Sequence, residues 1–337
     1  MINLLHQLIN IPSISRNEDA VVDFIAKYLD TCPGTYQRLG KNLLWRSPGF
    51  APNKKTMVLI GHSDTVPWNE KNWKITKPTL ALEQDGKIYG RGSCDMKGGV
   101  AIMLDLIKNF DYPLPVNLLG IVYHGEEVGI PNGLTEILDA KILPEVDLAI
   151  ILEPTDGEVV SGVFGCLDLQ INLKGKACHS SRPELGENAI YKALAVAEQL
   201  QKIPLREVNG TIEALQVTKI SGGTAVNILP ESATLTVNMR CAPGQTVDAI
   251  LARLPLAGLD YEILTWNLGG VAEGDFSALG KNVVEPFWTD IAQLIEAGIP
   301  AINFGPGSIE QAHTADEFVS IKSMEETRER LKQFLLR

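Results

Sequence analysis

Apolar positions along the chain come in two textures, and each predicts a different kind of element. In the first half, short unbroken apolar runs alternate with stretches of helical spacing. "TMVLIGH", "VNLLGIVYHGEE" and "VDLAIILEPT" read as strands buried on both faces. "GGVAIMLDLIKNF" and "NGLTEILDAKI" instead space their apolar residues three and four apart, as one face of a helix requires. Buried strands joined by helices predict βαβ units around a mainly parallel sheet.

After about Ser161 the texture changes. "VFGCLDLQINLKGKACH" and "ATLTVNMRCAPG" alternate with period two, which suits an antiparallel sheet with one solvated face. "ENAIYKALAVAEQLQKI" and "TVDAILARL" are helical patterns between and after them. Together they predict a small α+β module of strand-helix-strand-strand-helix order. Beyond about Leu264 the buried texture returns in "IPAINFGPG", followed by a last helix, "MEETRERLKQFLL". The expected architecture is a discontinuous α/β domain over 1–165 and 265–337, with an α+β domain inserted over 166–264. No internal repeat or low-complexity segment interrupts it.

Composition narrows the function classes. A chain of 337 residues, 45% hydrophobic, is long enough for about two cores. A net charge of −11 argues against a nucleic-acid partner and offers no polybasic patch for a membrane. Five cysteines without a CxxC pair predict no disulfide framework and a reducing, cytoplasmic location. The opening "MINLLHQLINIPSIS" lacks a basic leader and reads as an amphipathic helix. No apolar run approaches the roughly 18 residues of a membrane span.

The informative residues stand where the apolar runs stop. "VLI" leads to His62 and Asp64, "LLGIVYHG" to Glu126 and Glu127, "LAIIL" to Glu153, and "AINFGPGSIEQA" to His313. In an open α/β sheet the carboxyl ends of the strands are where ligands sit. Asp95 adds a further acid from the glycine-rich "GRGSCDMKGG". Singly each is weak: "HSD" is ordinarily a polar strand end and "GEE" a solvated turn. "GRGSCD" lacks the third glycine of a dinucleotide loop. Collected on one sheet edge, histidines and carboxylates without a cysteine pair predict a hydrolytic centre for zinc or a similar divalent metal.

One partition gives His62, Asp95 and Glu153 to one ion and Asp95, Glu127 and His313 to another. Asp95 then bridges them at the roughly 3.5–4 Å spacing of two-metal hydrolases. Two dications balance three carboxylates and a hydroxide. Asp64 is placed to orient His62. Glu126, whose neighbour ligates, faces the water and is the candidate general base.

At these residues the chain resembles the M20 family of zinc aminoacylases and carboxypeptidases. The resemblance rests on "GHSDTVP", "GRGSCDMKGG", "GEE", "ILEPT", "HSSRPELGENAI", "NILPESATLTVNMR" and "GPGSIEQAHTADEFV", which run through nearly the whole sequence. It implies a zinc-peptidase-like sheet flanked by helices, and an inserted ferredoxin-like domain that serves as lid and dimerisation surface. It also implies two Zn²⁺ per subunit, replaceable by Co²⁺, a homodimer, and a small N-acyl amino acid as substrate.

Carried over by motif, His62, Asp95, Glu127, Glu153 and His313 are the metal ligands, and Glu126 is the base. His179 of a partner subunit supports the oxyanion, and Asn227, Arg240, Thr289, Gly305 and Gly307 contact substrate. Within the family the wording is most similar to the actinobacterial enzymes that desuccinylate N-succinyl-diaminopimelate for lysine biosynthesis. Acetylornithine, acetyllysine and acetylcitrulline deacetylases and M20 amino- or dipeptidases share the same machinery and are the alternatives. "VFGCLDLQ" lacks an arginine expected near there in many desuccinylases, and "YHGEE" departs from their usual wording. Neither change touches the metal set.

Overall fold

A computed structural model describes residues 1–337. The chain divides into two units, one of Met1–Ser161, Ala272–Val283 and Gln293–Arg337, the other of Gly162–Val271 and Val284–Ala292.

The first unit is built on a mixed sheet. Its order is Thr35–Leu39, Asn42–Arg46, Asn117–Tyr123, Thr56–His62, Leu148–Pro154, Ala301–Gly305, then Val159–Val163. The central four strands run parallel, with His62 opposite Tyr123, Ile60 opposite Ile151, and Ala301 opposite Ala149. Every residue of Thr56–His62 and Asn117–Tyr123 is buried, which explains why neither strand alternates in sequence. Taking a residue such as Leu59 or Ile60 fully out of water contributes about 1.5–3 kcal/mol each.

Helix Lys97–Asn109 is buried from Lys97 to Ile107 and packs on the Thr56–His62 strand. Its approach is close: a Cβ on Gly99 would stand 2.3 Å from the Leu152 carbonyl oxygen. Only glycine lets the helix start that near the strand leading to Glu153. Helices Ile2–Ile9, Asp19–Leu29 and Ile321–Leu335 bury one stripe each. The first and last of these flank Lys97–Asn109. No helix is long and apolar enough to cross a membrane.

The second unit is a four-stranded antiparallel sheet in the order Ala214–Gly222, Ser232–Cys241, Gly165–Lys174, Asp260–Asn267. Numbered by chain, the strands run 2-3-1-4, the ferredoxin-like arrangement. Leu167, Leu169, Ile171 and Leu173 share a buried face with Leu235, Val237 and Met239. Helices Ala189–Leu200 and Val247–Leu251 supply Ala193, Val196, Leu200 and Ile250 to the same core. The strand Asp260–Asn267 completes the module beyond the strand-helix-strand-strand-helix order read from sequence. Its "DYEILTWN" is exposed over most of its length, so no buried stripe marks it.

Glu213 anchors this unit's polar interior. It accepts Arg253 at 2.6 and 3.1 Å, Gln245 Nε2 at 2.7 Å, and the amides of Arg206 and Ala242 at 2.9 and 3.0 Å.

Candidate metal centre

The parallel register brings the carboxyl ends of the strands level, and the acids and histidines follow from that. His62 is the last residue of its strand and is fully buried. Tyr123 ends the neighbouring strand, and Gly125, at φ 71°, turns the chain into a short 3₁₀ turn bearing Glu126 and Glu127. Glu153 stands on the strand on the other side of Thr56–His62. Asp95 arrives on the loop ahead of helix Lys97–Asn109, and His313 on the loop after Ala301–Gly305.

The side chains meet in overlapping groups: His62, Asp95 and Glu153; Asp95, Glu127 and His313; and His62, Glu126 and Glu127. Asp95 is shared by the first two groups, His62 by the first and third, and Glu127 by the second and third. Asp95 Oδ1 lies 3.1 Å from His62 Nε2 and its Oδ2 lies 3.3 Å from His313 Nε2. Glu153 Oε1 is 3.5 Å from His62 Nε2, and Glu127 Oε2 is 2.8 Å from His313 Nε2.

The 3.1, 3.3 and 3.5 Å spacings approach what one cation asks of two ligands, while the 2.8 Å between Glu127 and His313 is that of a hydrogen bond. Two ligands on one tetrahedral ion with bonds of 2.0–2.1 Å stand about 3.4 Å apart. The donors are imidazole nitrogen and carboxylate oxygen, the set that zinc and similar divalent ions take in hydrolytic sites.

The electrostatics agree. Burial works against a proton on His62, but hydrogen bonds to Asp64 and Asp95 and the charges of Glu153 and Glu126 raise its pKa well above the ordinary imidazole range. His313, hydrogen-bonded to Asp95 and Glu127, is lifted to about 10. Burial pushes Asp95 up, yet the two histidines hold it well below the usual carboxylate range. The cluster is therefore a strongly negative potential that demands positive charge, and a metal ion would take the place of those two protons.

Asp64 holds three of these residues at once. Its Oδ1 accepts the Glu126 amide and its Oδ2 the Glu127 amide, both at 3.1 Å, and Oδ1 lies 3.5 Å from His62 Nδ1. Against the cost of burial, His62, the Ser15 hydroxyl and the Glu127 amide hold its pKa at about 2.

Ser15, which the sequence reading passes over, donates its hydroxyl to Asp64 Oδ2 at 2.7 Å. The chain before it is stitched on by Thr65 N to Ser13 O and Ser15 N to Thr65 O. Nothing in "IPSIS" announces that contact, because Ser15 and Asp64 are distant in sequence. Arg91 and Glu317, also passed over, form a buried pair behind Asp95. His124 turns to Glu136, with Nε2 3.3 Å from its Oε2, and joins no ligand group.

The other candidates lie elsewhere along the chain. Gly305 and Gly307 are in the first unit, and close approach explains both. A Cβ would stand 2.1 Å from the Leu152 carbonyl oxygen at Gly305 and 2.5 Å from Cys94 Sγ at Gly307.

His179, Asn227, Arg240 and Thr289 belong to the second unit. The segments of His179 and Asn227 are paired there, Ser180 N donating to Asn227 O at 2.9 Å, and His179 Nδ1 lies 2.8 Å from the Ser181 hydroxyl. Arg240 is half-buried on the alternating strand Ser232–Cys241, opposite Cys166 and Ala214. Thr289 precedes helix Ile291–Glu296 and accepts the Ala292 amide through its carbonyl.

The histidine–carboxylate cluster at the strand ends has the donors of a metal-dependent hydrolase, and the family it falls in makes it one that acts on amide bonds. Residues 58–337 match the family model Peptidase family M20/M25/M40, and the chain belongs to that family. It is 32% identical to the putative succinyl-diaminopimelate desuccinylase of Mycobacterium tuberculosis, over 99% of this chain and 97% of that protein. It is 30% identical to the acetylornithine deacetylase of Proteus mirabilis, over 99% and 95%.

Among solved structures it resembles aminopeptidase PepT of Bacillus cereus, with a TM-score of 0.78 and 20% identity, covering 99% of this chain and 96% of that one. It also resembles the Bacillus subtilis YxeP protein, described as a dinuclear metal binding peptidase, with a TM-score of 0.73, 15% identity and coverage of 99% and 96%.

Proposed function

We propose that the chain is a dinuclear zinc N-deacylase that hydrolyses the succinyl amide of N-succinyl-diaminopimelate, a step of lysine biosynthesis. One observation carries the metal chemistry: the two oxygens of Asp95 face two different histidines, each backed by its own glutamate. His62, Asp95 and Glu153 would hold one ion, and Asp95, Glu127 and His313 the other. Such ions, when bound, polarise the amide carbonyl and acidify water.

The chain's own residues do the rest. Glu126 takes a proton from the attacking water, whose oxygen bonds to the carbonyl carbon. As the C–N bond breaks, Glu126 delivers that proton to the leaving amine. Asp64 fixes the Glu126 backbone, so the base and the ligand Glu127 are set by one carboxylate. His179 from a second subunit is assigned to the developing oxyanion. Arg240 is assigned to the succinyl carboxylate, which a guanidinium grips with two parallel hydrogen bonds. Asn227, Thr289, Gly305 and Gly307 complete the substrate contacts.

A homodimer is supported by the second unit's surface. The strand Ala214–Gly222 pairs on one side only, and Ile220 on it is exposed, as are Tyr191 and Leu194 of the adjacent helix. An unpaired edge beside exposed apolar residues fits a second copy of the same surface. Five free cysteines are in keeping with a cytoplasmic enzyme.

The alternative substrate is N-acetylornithine, favoured by the 30% identity to a deacetylase. Amine release from N-succinyl-diaminopimelate, N-acetylornithine and N-acetyllysine, by zinc-loaded and by metal-stripped protein, separates the two. Metal-dependent preference for the succinyl substrate is expected. Preference for an acetyl substrate would move the enzyme to another pathway, and no release at all would overturn the deacylase reading.

A further inference from the structure

Behind the metal ligands lies a buried ion pair that neither binds metal nor moves a proton in the chemistry above. Arg91 Nη1 donates to Glu317 Oε2 at 2.7 Å, and the two side chains are 5% and 0% exposed. The same carboxylate accepts three backbone amides, from Gly92 at 2.9 Å, Cys94 at 2.8 Å and Asp95 at 3.1 Å. Arg91 Nη2 reaches the His313 carbonyl at 3.4 Å, and the Gly90 amide donates to the Glu317 carbonyl at 3.0 Å.

Two loops are thus tied together by one pair of side chains. One loop carries Asp95 four residues after Arg91, and the other carries His313 four residues before Glu317. A buried ion pair adds little net stability relative to an apolar replacement, since desolvation offsets the attraction. What it does supply is a fixed geometry, because a carboxylate accepting four donors has one position. That matters unequally to the two metal positions. His62 and Glu153 stand on buried strands, and the sheet sets their separation. His313 stands on a loop, with a backbone φ of 63° and a side chain 56% exposed. Its distance to Asp95 depends on the tie between the loops.

We infer that Arg91 and Glu317 are positioning residues that set the Asp95–His313 separation. They thereby govern binding of the ion held by Asp95, Glu127 and His313 more than binding of the ion held by His62, Asp95 and Glu153. The inference rests on the two-ion reading given above.

The test uses the full chain, as wild type, as Glu317→Gln, and as the double variant Arg91→Met with Glu317→Gln, which leaves no unpaired buried charge if the single variant fails to fold. Bound zinc per chain, stepwise zinc affinity by chelator competition, and the visible spectrum during Co²⁺ titration are read for each, with the unfolding midpoint of the metal-free protein. Expected is a weakening of the second ion by about 10–100-fold with the first held within about 3-fold, and a Co²⁺ spectrum altered in the second equivalent alone. Equal weakening of both ions, or unchanged affinities with a lowered metal-free midpoint, would make the pair a purely structural one and overturn the inference while leaving two ions in place. A wild-type chain that binds a single ion would overturn the two-ion reading and this inference with it, and that result is visible before any variant is made.

Discussion

Two strands, Thr56–His62 and Ser232–Cys241, show how differently the two units use apolar sequence. The first is buried at every residue and spends its polar chemistry only at its end, where His62 and then Asp64 appear. The second buries alternate residues and leaves Thr234, Thr236, Asn238 and Arg240 on the other face. A strand covered on both sides offers a site only at its tip, so the first unit's candidate ligands cluster at one edge. A strand covered on one side offers polar positions along its whole length, as at Arg240, while the second unit's other candidates, His179, Asn227 and Thr289, lie outside the named strands. In the first unit the candidate ligands gather where the core strands end; in the second, Arg240 shares its strand with the core.

The largest expected effect breaks chemistry without touching either core. Glu126→Gln should lower turnover by about 10²–10⁴-fold while zinc content stays that of wild type. Steady-state kinetics with metal analysis on the same preparation checks it, and an active variant would remove Glu126 from the role of base.

The second unit has its own polar centre, and acid should find it. Burial pushes the Glu213 carboxyl up, but Arg253, Gln245 and two amides hold its pKa at about 2, below its ordinary value of 4.5. A group with a depressed folded pKa stabilises fully above the unfolded value and loses that contribution as pH falls, here between 4.5 and about 2. Glu213→Gln should cost roughly 3 kcal/mol at pH 6, because Arg253 is left without its buried partner. The gap from wild type should narrow at pH 3. Urea denaturation at both values measures it, and a gap independent of pH would count against the ion pair.

A matched pair of variants compares the two cores as supports for the candidate metal centre. Leu235→Ala, at a fully buried position of the second unit, should destabilise by about 3 kcal/mol and leave zinc binding unchanged. Gly99→Ala in the first unit should cost about 2 kcal/mol by overpacking, since the new methyl meets the Leu152 carbonyl. That carbonyl precedes Glu153, so zinc binding should weaken as well. Denaturation of metal-free protein and zinc titration distinguish the two; equal effects on zinc would show that the cluster does not depend on the first unit's core in particular.

How much of this was legible in the sequence follows from the same contrast. The unbroken runs ending in His62, Tyr123 and Pro154 are strands, and the polar residues beyond them do converge, because in a parallel sheet strand ends are set level by register. Periodicity also marks Gly165–Lys174 and Ser232–Cys241, whose buried alternation is regular. It is silent on Asp260–Asn267, exposed over most of its length, and on Thr35–Leu39 at the sheet's edge. Among the candidate site residues, those at or beyond strand ends are readable, whereas Ser15, Arg91 and Glu317 are not. Each acts through a partner far along the chain, by a hydrogen bond to Asp64 or an ion pair behind Asp95. Local sequence carries no trace of a contact that only folding creates.

The smallest effect sharpens the comparison at a single side chain. Arg240 lies on the alternating strand of the second unit, half-buried beside Cys166 in register. If its role were only to stabilise that sheet, Arg240→Lys would keep the charge and change little. If it grips a carboxylate, lysine forfeits the planar, two-pronged geometry and retains only a point charge. KM for the succinyl substrate should then rise about 10-fold, a loss of about 1.4 kcal/mol, with kcat and the unfolding midpoint unchanged. The acetyl substrate has no such carboxylate on its acyl group, so its KM should stay where it is. A rise common to both substrates would reassign Arg240 from the acyl group to the part of the amino acid they share. No rise in either would return it to the sheet, and the second unit's polar face would then contribute structure rather than recognition at this position.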